Sequence, residues 1–225
     1  MAKGETPTSD KIYFYARTRF LRLDTPKAFE EGQDPRWEAT FVLDPSDKRG
    51  QDGIVKILDA SAKLAKDTYG KVPLALKKLR AKFVPGSPKV DLNDPANADD
   101  GIKVAFLDGD SEKYKDYAGY AGMFIVPAHN TRLKPAVANR AGKTVQPGEP
   151  QYPYDGCYAI GCITVWIQVG KTEQKYGRRV GVNLRGVQFA ADGDAFTQDV
   201  INAEDEFVAL EDEPGAATSA GSDWD

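Results

Sequence analysis

The sequence predicts a mainly β fold: a small antiparallel barrel with an inserted helix and an extra hairpin, followed by a disordered acidic C-terminal tail. Three observations support this prediction. Several segments alternate apolar and polar residues, as half-buried strands do. One long segment instead repeats its apolar residues at helical spacing. The last basic residue is Arg185, and only acidic charges follow it.

The first two strands are predicted after a flexible leader of residues 1–10. The strand over residues 11–23 has one apolar face and one aromatic and basic face, and the latter carries Tyr13, Tyr15, Arg17 and Arg19. Residues 36–43 alternate again, and Asp44-Pro45 ends that strand.

A helix is predicted next, with Asp52 as its N-cap and Gly70 at the C′ position. Its apolar residues recur at helical spacing. A short second helical piece is predicted over residues 74–82, and a polar loop over residues 85–100.

The C-terminal half is predicted to be β-rich. Strands are predicted over residues 102–107 and 123–126, then a proline-rich loop over residues 127–155 with at most short edge strands. Residues 157–169 and 178–189 form a long hairpin around a turn at residues 170–177. Five or more strands with one inserted helix suggest a closed or nearly closed barrel, and the OB type is the commonest such frame that binds single strands.

The charge is divided along the chain. The net charge is −4, but residues 1–191 hold all 30 basic and 23 acidic residues, a net +7, whereas residues 192–225 hold 11 acidic residues and no basic one. Such asymmetry points to a body that binds polyanions and carries an acidic tail. We therefore predict a domain over residues 11–196 and a tail over residues 197–225.

Aromatic and basic side chains are predicted to share the strand faces and the turn. Cations neutralise phosphates and aromatic rings stack on unpaired bases, so this mixture suits sequence-tolerant binding of single-stranded DNA. The alternative is that Trp166 and some tyrosines fill the core while the cations are merely solvated. The predicted binding residues are Tyr13, Tyr15, Arg17, Arg19, Tyr158, Trp166, Lys171, Lys175, Tyr176, Arg178, Arg179 and Arg185.

The acidic tail has two interpretations. It can be a disordered segment that aids solubility. Attached to a positive body, it can instead compete with DNA for the basic surface and dock a partner when DNA displaces it. The residues predicted to dock are Glu211, Asp212, Glu213, Asp223, Trp224 and Asp225.

No catalytic residue, metal site or cofactor is predicted. The chain contains no phosphate loop, dinucleotide fingerprint or nucleophile elbow. The acidic stretch from Asp91 fails the calcium-loop pattern, which would need a glycine where Ala96 stands and a glutamate where Ile102 stands. A metal-dependent nuclease or another DNA-processing enzyme stays open, because scattered aspartates could converge. A protein-interaction module with a DNA-mimicking tail also stays open.

The two cysteines and the single histidine do not suggest a site. Cys157 and Cys162 would lie roughly 17 Å apart on opposite faces of one strand, which is too far for a disulfide. A zinc site would need both cysteines, His129 and a carboxylate, against normal ligand spacing. A loop histidine such as His129 is more often structural than catalytic.

The chain is expected to be cytosolic. The N-terminal residues have no apolar h-region, and the uncharged stretch at residues 156–170 is too short to span a membrane.

Several segments resemble single-stranded-DNA-binding proteins of tailed bacteriophages. The similar segments are residues 117–128 (YAGYAGMFIVPA), 154–168 (YDGCYAIGCITVWIQ) and 182–196 (VNLRGVQFAADGDAF), together with residues 16–20, Pro26, Phe29 and the strand at 37–43. The resemblance covers most of residues 11–196. It implies an OB fold that coats single-stranded DNA in phage replication or recombination, in the cytoplasm of the infected bacterial host, without catalysis.

The resemblance also implies partners for the tail. In plan, the tail is similar to those that recruit replication or recombination proteins, although it ends in Trp224-Asp225 where those commonly end in Phe. The expected partners are single-stranded DNA and such proteins, with no membrane. A homo-oligomer such as a dimer stays open.

Overall fold

The structure is a computed structural model and describes residues 6–28, 30–194 and 196. The residues predicted to dock a partner, and the tail from residue 197 onward, lie outside this range. The described part consists of β1 (Ile12–Lys27), β2 (Arg36–Leu43), α1 (Lys48–Tyr69), α2 (Leu74–Phe83), a 3-10 turn (Pro95–Asn97), β3 (Lys103–Val104), β4 (Leu107–Asp108), β5 (Phe124–Asn130), β6 (Ala136–Ala138), β7 (Tyr158–Ile167), α3 (Lys171–Tyr176) and β8 (Arg179–Ala191).

The five longest strands close into a barrel in the order β1–β2–β5–β8–β7. β1 pairs antiparallel with β2 and β7, β2 with β5, and β7 with β8. β8 meets β5 through a single parallel pair, His129 with Asn183, which completes the circle. This is the closed OB-type arrangement, so the predicted fold class is confirmed.

The core follows the predicted alternation. Successive residues of β7 are alternately buried and partly exposed, with Ala159, Ile163 and Val165 fully buried. On β1, Phe14 points inward and packs its ring edge-on against Phe41 of β2, with centroids 5.1 Å apart. The intervening residues of both strands therefore point outward.

The first helix starts earlier than predicted. α1 begins at Lys48, and its N-cap is Asp47, whose carboxylate accepts a 2.7 Å hydrogen bond from the Arg49 amide. The prediction of Asp52 as N-cap is therefore wrong. The glycines at 50 and 53 resemble a loop in sequence, but both pack closely inside the helix, where a Cβ atom would lie 2.2 Å from the Asp44 carbonyl and 2.8 Å from Phe14 respectively. The C-cap prediction is confirmed, with Gly70 at φ 77°.

Two strand predictions need correction. The predicted strand at residues 102–107 is two short strands, because β3 pairs with β8 whereas β4 pairs with β5. β5 continues to Asn130, beyond the point where Pro127 was predicted to begin a loop. Pro127 lies opposite Thr40, and β5 pairs with β8 only at His129, so a missing amide is tolerated there.

The ends of the hairpin also differ from the prediction. The predicted turn at residues 170–177 contains the short helix α3. Part of the predicted leader joins the sheet, because the Ser9 amide donates to the Val165 carbonyl at 2.8 Å and the Ile167 amide donates to the Pro7 carbonyl at 3.0 Å.

Candidate nucleic-acid interface

The outward faces of β1 and β7 lie side by side. Tyr13 pairs with Cys162, Tyr15 with Ile160, and Arg17 with Tyr158. Directly opposed residues on paired strands point to the same side of the sheet. The strand pairing thus brings the aromatic and basic residues predicted on two distant segments onto one surface.

Four side chains form what we call the arginine–tyrosine stack: Tyr15, Arg17, Arg49 and Tyr158. The rings of Tyr15 and Tyr158 are nearly parallel, at 11°, with centroids 5.5 Å apart. The guanidinium carbon of Arg49 lies 3.7 Å from the Tyr15 centroid, and that of Arg17 lies 5.6 Å from the Tyr158 centroid. Each ring therefore has a cation near it, an arrangement that favours stacking of further planar groups.

Phe196 lies against the same stack. Its ring centroid is 4.1 Å from the guanidinium carbon of Arg17 and 5.2 Å from that of Arg19. The position opposite the ring is Gly119, where a Cβ atom would come within 2.2 Å of Phe196. Arg17 also donates to the carbonyls of Gly156 and Asp194. A cavity of about 210 Å³ remains beside these groups.

A loop of residues 109–123 covers the neighbouring part of the barrel. Tyr120 is buried with Val42 and Ile125, and burial raises the pKa of its phenol to about 12. Tyr117 stacks on Tyr120 at 5.4 Å, and the Arg19 guanidinium carbon lies 5.3 Å from the Tyr120 centroid. Arg19 is thus held in an aromatic pocket, where it also donates to the Ala118 carbonyl.

Further along β7 lies a second cavity, which we call the tyrosine groove. It measures about 420 Å³, and its lining includes Lys11, Tyr13, Lys134, Cys162 and Arg185. Tyr13 is 54 % exposed, so its ring is available to a ligand. A hydrogen bond with the Cys162 thiol raises the pKa of Tyr13, and burial raises the pKa of that thiol, so both groups are neutral at pH 7.

The third cavity lies where β5 and β8 close the barrel, and we call it the seam cleft. It measures about 450 Å³, and its lining includes Lys103, His129, Trp166 and Arg179. Trp166 lies against Gly181 of β8, where a Cβ atom would come within 2.1 Å of the indole. Burial, and then the charges of Arg36 and Arg179, lower the pKa of His129. His129 is therefore neutral at pH 7.

Four predicted residues on α3 and in the turn after it, Lys171, Lys175, Tyr176 and Arg178, do not line these cavities. Lys171 and Lys175 lie on the surface of α3, and Tyr176 is 60 % exposed. Arg178 instead pairs with Glu173 at 3.0 Å, and its guanidinium carbon lies 5.0 Å from the Tyr69 ring centroid.

Several residues of this surface have no signal in the sequence. Arg49 comes from α1, Lys134 from a loop and Lys103 from a two-residue strand. His129 lies two residues after Pro127, in a segment predicted to be loop. Each reaches the surface through tertiary packing between segments far apart in the chain, which periodicity cannot reveal.

Other kinds of site are not formed by the residues that the structure describes. Among them, no group of three or more His, Cys, Asp or Glu side chains could hold a metal ion. Cys157 and Cys162 are both free thiols. None of the described helices has the length and apolar character needed to cross a membrane.

A closed OB-type barrel with stacked aromatic rings, arginines and basic cavities on its surface defines a class of proteins that bind single-stranded nucleic acid. Residues 11–217 match the family described as Enterobacter phage Enc34, ssDNA-binding protein. The chain belongs to this family of phage proteins.

A curated relative and two solved structures are similar to the chain. Protein p50 of Acyrthosiphon pisum secondary endosymbiont phage 1 is 38 % identical over 110 residues, which are 48 % of this chain and 53 % of that protein. The match therefore spans about half the length of this relative.

The solved structures show the shared fold. The single-stranded DNA-binding protein from bacteriophage Enc34 in complex with ssDNA is 22 % identical, with a TM-score of 0.59 over 83 % of this chain and 89 % of that one. A second structure of the single-stranded DNA-binding protein from bacteriophage Enc34 is 20 % identical, with a TM-score of 0.55 over 87 % of this chain and 89 % of that one.

Proposed function

We propose that this chain binds single-stranded DNA with little sequence preference, along the outer face of β7. One observation carries the proposal: the outward residues of β7 line three cavities in succession. Tyr158 lines the cavity beside the arginine–tyrosine stack, Ile160 and Cys162 line the tyrosine groove, and Trp166 lines the seam cleft. The nine residues from Tyr158 to Trp166 are separated by eight steps along the strand, which span roughly 26 Å.

Each cavity offers both kinds of contact that a single strand needs. Tyr158, Tyr13 and Trp166 supply aromatic faces, one in each cavity. Arg17, Arg185 and Arg179 supply the corresponding cations. Base stacking contributes about 1–3 kcal/mol per base and tolerates every base, whereas phosphate contacts supply affinity that falls with salt.

The remaining predicted residues extend this surface. Arg19 lies beside the stack, and the side chains of α3 and the turn after it border the end of β7. Lys171, Lys175, Tyr176 and Arg178 would then contact DNA that continues beyond the seam cleft.

The tail is proposed to regulate access and to recruit partners. Asp194 and Phe196 already contact Arg17, so the chain enters its acidic segment directly beside the DNA surface. From there, nine further acidic residues could compete with DNA for the cations, and a freed tail could dock replication or recombination proteins of the infected host cytoplasm. In this proposal the domain of residues 11–196 binds DNA without catalysis.

A direct binding experiment tests the proposal. Fluorescence anisotropy with labelled oligo-dT and with a duplex of equal length, each at 50 mM and 200 mM salt, should show tighter binding of the single strand and a steep loss with salt. Absence of binding to oligo-dT, or binding that salt does not change, would overturn it.

A second assay separates the other two hypotheses. Incubation of labelled single strands with magnesium or manganese should leave them intact, and cleavage that a chelator abolishes would identify a nuclease. Capture of a protein partner without any binding of oligonucleotides would identify an interaction module.

A further inference from the structure

The charged side chains that line the seam cleft are basic. Lys103 comes from β3, Arg179 from β8 and His129 from β5, and of the described residues that line the cleft none is acidic. Neither Lys103 nor Arg179 has a carboxylate within ion-pair distance in the described part of the chain. Two uncompensated cations beside an open cavity of about 450 Å³ favour an anionic ligand.

The other charged groups near His129 come from β1 and β2. Glu38 is the strand neighbour of His129, but it is engaged by Arg22 at 3.3 Å and Arg36 at 3.5 Å. The positive charge of Arg36 lowers the pKa of His129 on the neighbouring strand. Burial raises the pKa of Glu38, yet its two arginine partners keep the local charge positive whether or not it is ionised. In the free protein, no net negative charge nearby therefore stabilises the protonated form of His129.

We propose that the seam cleft is a phosphate-binding subsite, in which Lys103, Arg179 and His129 contact one phosphodiester group of the DNA backbone and His129 takes up a proton when that phosphate enters. The proposal rests on the proposed function, because it assigns a place to the DNA backbone. It also gives a role to the single histidine of the chain, which lies on β5, two strands away from both β1 and β7 in the barrel order.

The direction of the pH effect follows from charge. In the free protein, burial and two arginines lower the pKa of His129, so the imidazole is neutral near pH 7. A phosphodiester carries one negative charge at every relevant pH, and a negative charge nearby raises the pKa of an imidazole. Binding then consumes a proton, and affinity rises as the pH falls from about 8 towards about 5.5. A pKa difference of one unit between free and bound protein corresponds to about a tenfold change in Kd.

The chain is suited to a clean test because it contains one histidine. Full-length protein without a histidine tag is titrated with oligo-dT, whose base does not titrate in this range, at fixed ionic strength from pH 8 to pH 5.5. We expect the Kd to fall by up to about tenfold. The variants His129→Gln and Arg179→Ala should bind oligo-dT with a flatter pH profile, while Lys48→Ala, a solvent-exposed cation on α1, should keep the wild-type profile.

A measurement on the unaltered protein keeps the test independent of folding of the variants. The single imidazole resonance is followed by NMR as the pH is changed, with and without oligo-dT. A higher pKa of His129 in the complex supports the subsite. An unchanged pKa together with a pH-independent Kd overturns it while leaving DNA binding intact, whereas no binding at any pH overturns the proposed function itself.

Discussion

The ring of Phe196 lies 4.1 Å from the guanidinium carbon of Arg17, in a space that exists because residue 119 is a glycine. Arg17 also lies beside Tyr158, at one end of the row of cavities proposed to bind DNA. A planar ring from the end of the described chain thus occupies a place that could accept a base. The effect of the tail on DNA binding can therefore be divided into two contributions, one from the Phe196 ring and one from the acidic charges.

Two truncations should distinguish these contributions. A chain that ends after Phe196 loses nine acidic residues but keeps the ring, and a chain that ends after Ala191 loses both. We expect the first to bind oligo-dT more tightly at low salt, with the gain vanishing at high salt, and the second to bind more tightly still. Full-length Phe196→Ala is the control for the ring alone. Weaker binding by the chain that ends after Ala191 would contradict competition by the tail.

Tyr158→Ala should weaken binding of oligo-dT by about 1–3 kcal/mol, or about 5- to 150-fold in Kd, because one stacking surface is lost. Tyr158→Phe retains the ring and should bind within a few-fold of the wild type. Anisotropy titrations at one salt concentration measure both. Equal losses in the two variants would show that the hydroxyl group, and not the ring, is responsible.

Arg185→Ala should reduce the slope of log Kd against log salt by about one, because one phosphate contact disappears from the tyrosine groove. Arg185→Lys should retain most of the slope. Lys48→Ala removes an equal charge from α1, at a side chain that is 88 % exposed, and should change the slope little. A similar loss in both alanine variants would mean that net charge, not the groove, determines affinity.

Asp47→Ala should lower the free energy of unfolding by about 0.5–2 kcal/mol at pH 7, because α1 loses its N-cap. Hydrogen bonds from Arg49 lower the pKa of Asp47. A lowered pKa means that the stabilisation is present above the unfolded value near 4 and is lost as the pH falls through the lower folded value. Urea denaturation at pH 7 and near pH 2.5 should therefore give a difference between variant and wild type that shrinks in acid.

Asp47→Asn separates the cap from the charge. Asparagine can still accept from the Arg49 amide, so this variant should lie between the wild type and Asp47→Ala at pH 7. It should also show less dependence on pH than the wild type. A constant difference at both pH values would contradict the assigned role of the carboxylate.

The sequence alone determined the barrel-type fold class and which residues of the long strands point inward or outward. Alternation in the segments around Phe14 and Ile163 is strong because one face of each strand must be apolar to form the core. The same alternation placed Tyr15, Arg17 and Tyr158 on outward faces, and the division of charge separated body from tail. These are local properties of the sequence. The alternation of inward and outward residues along a strand can be recognised without knowing which strand it pairs with.

Only the tertiary structure decided which outward residues meet. Register brings Arg17 beside Tyr158, α1 delivers Arg49 to Tyr15, and closure of β5 on β8 brings His129 together with Arg179. The start of α1 also differs from the prediction, because glycines that allow close packing look the same in sequence as glycines that end helices. Contacts between segments far apart in the chain depend on strand order and closure, and neither leaves a periodic trace in the sequence.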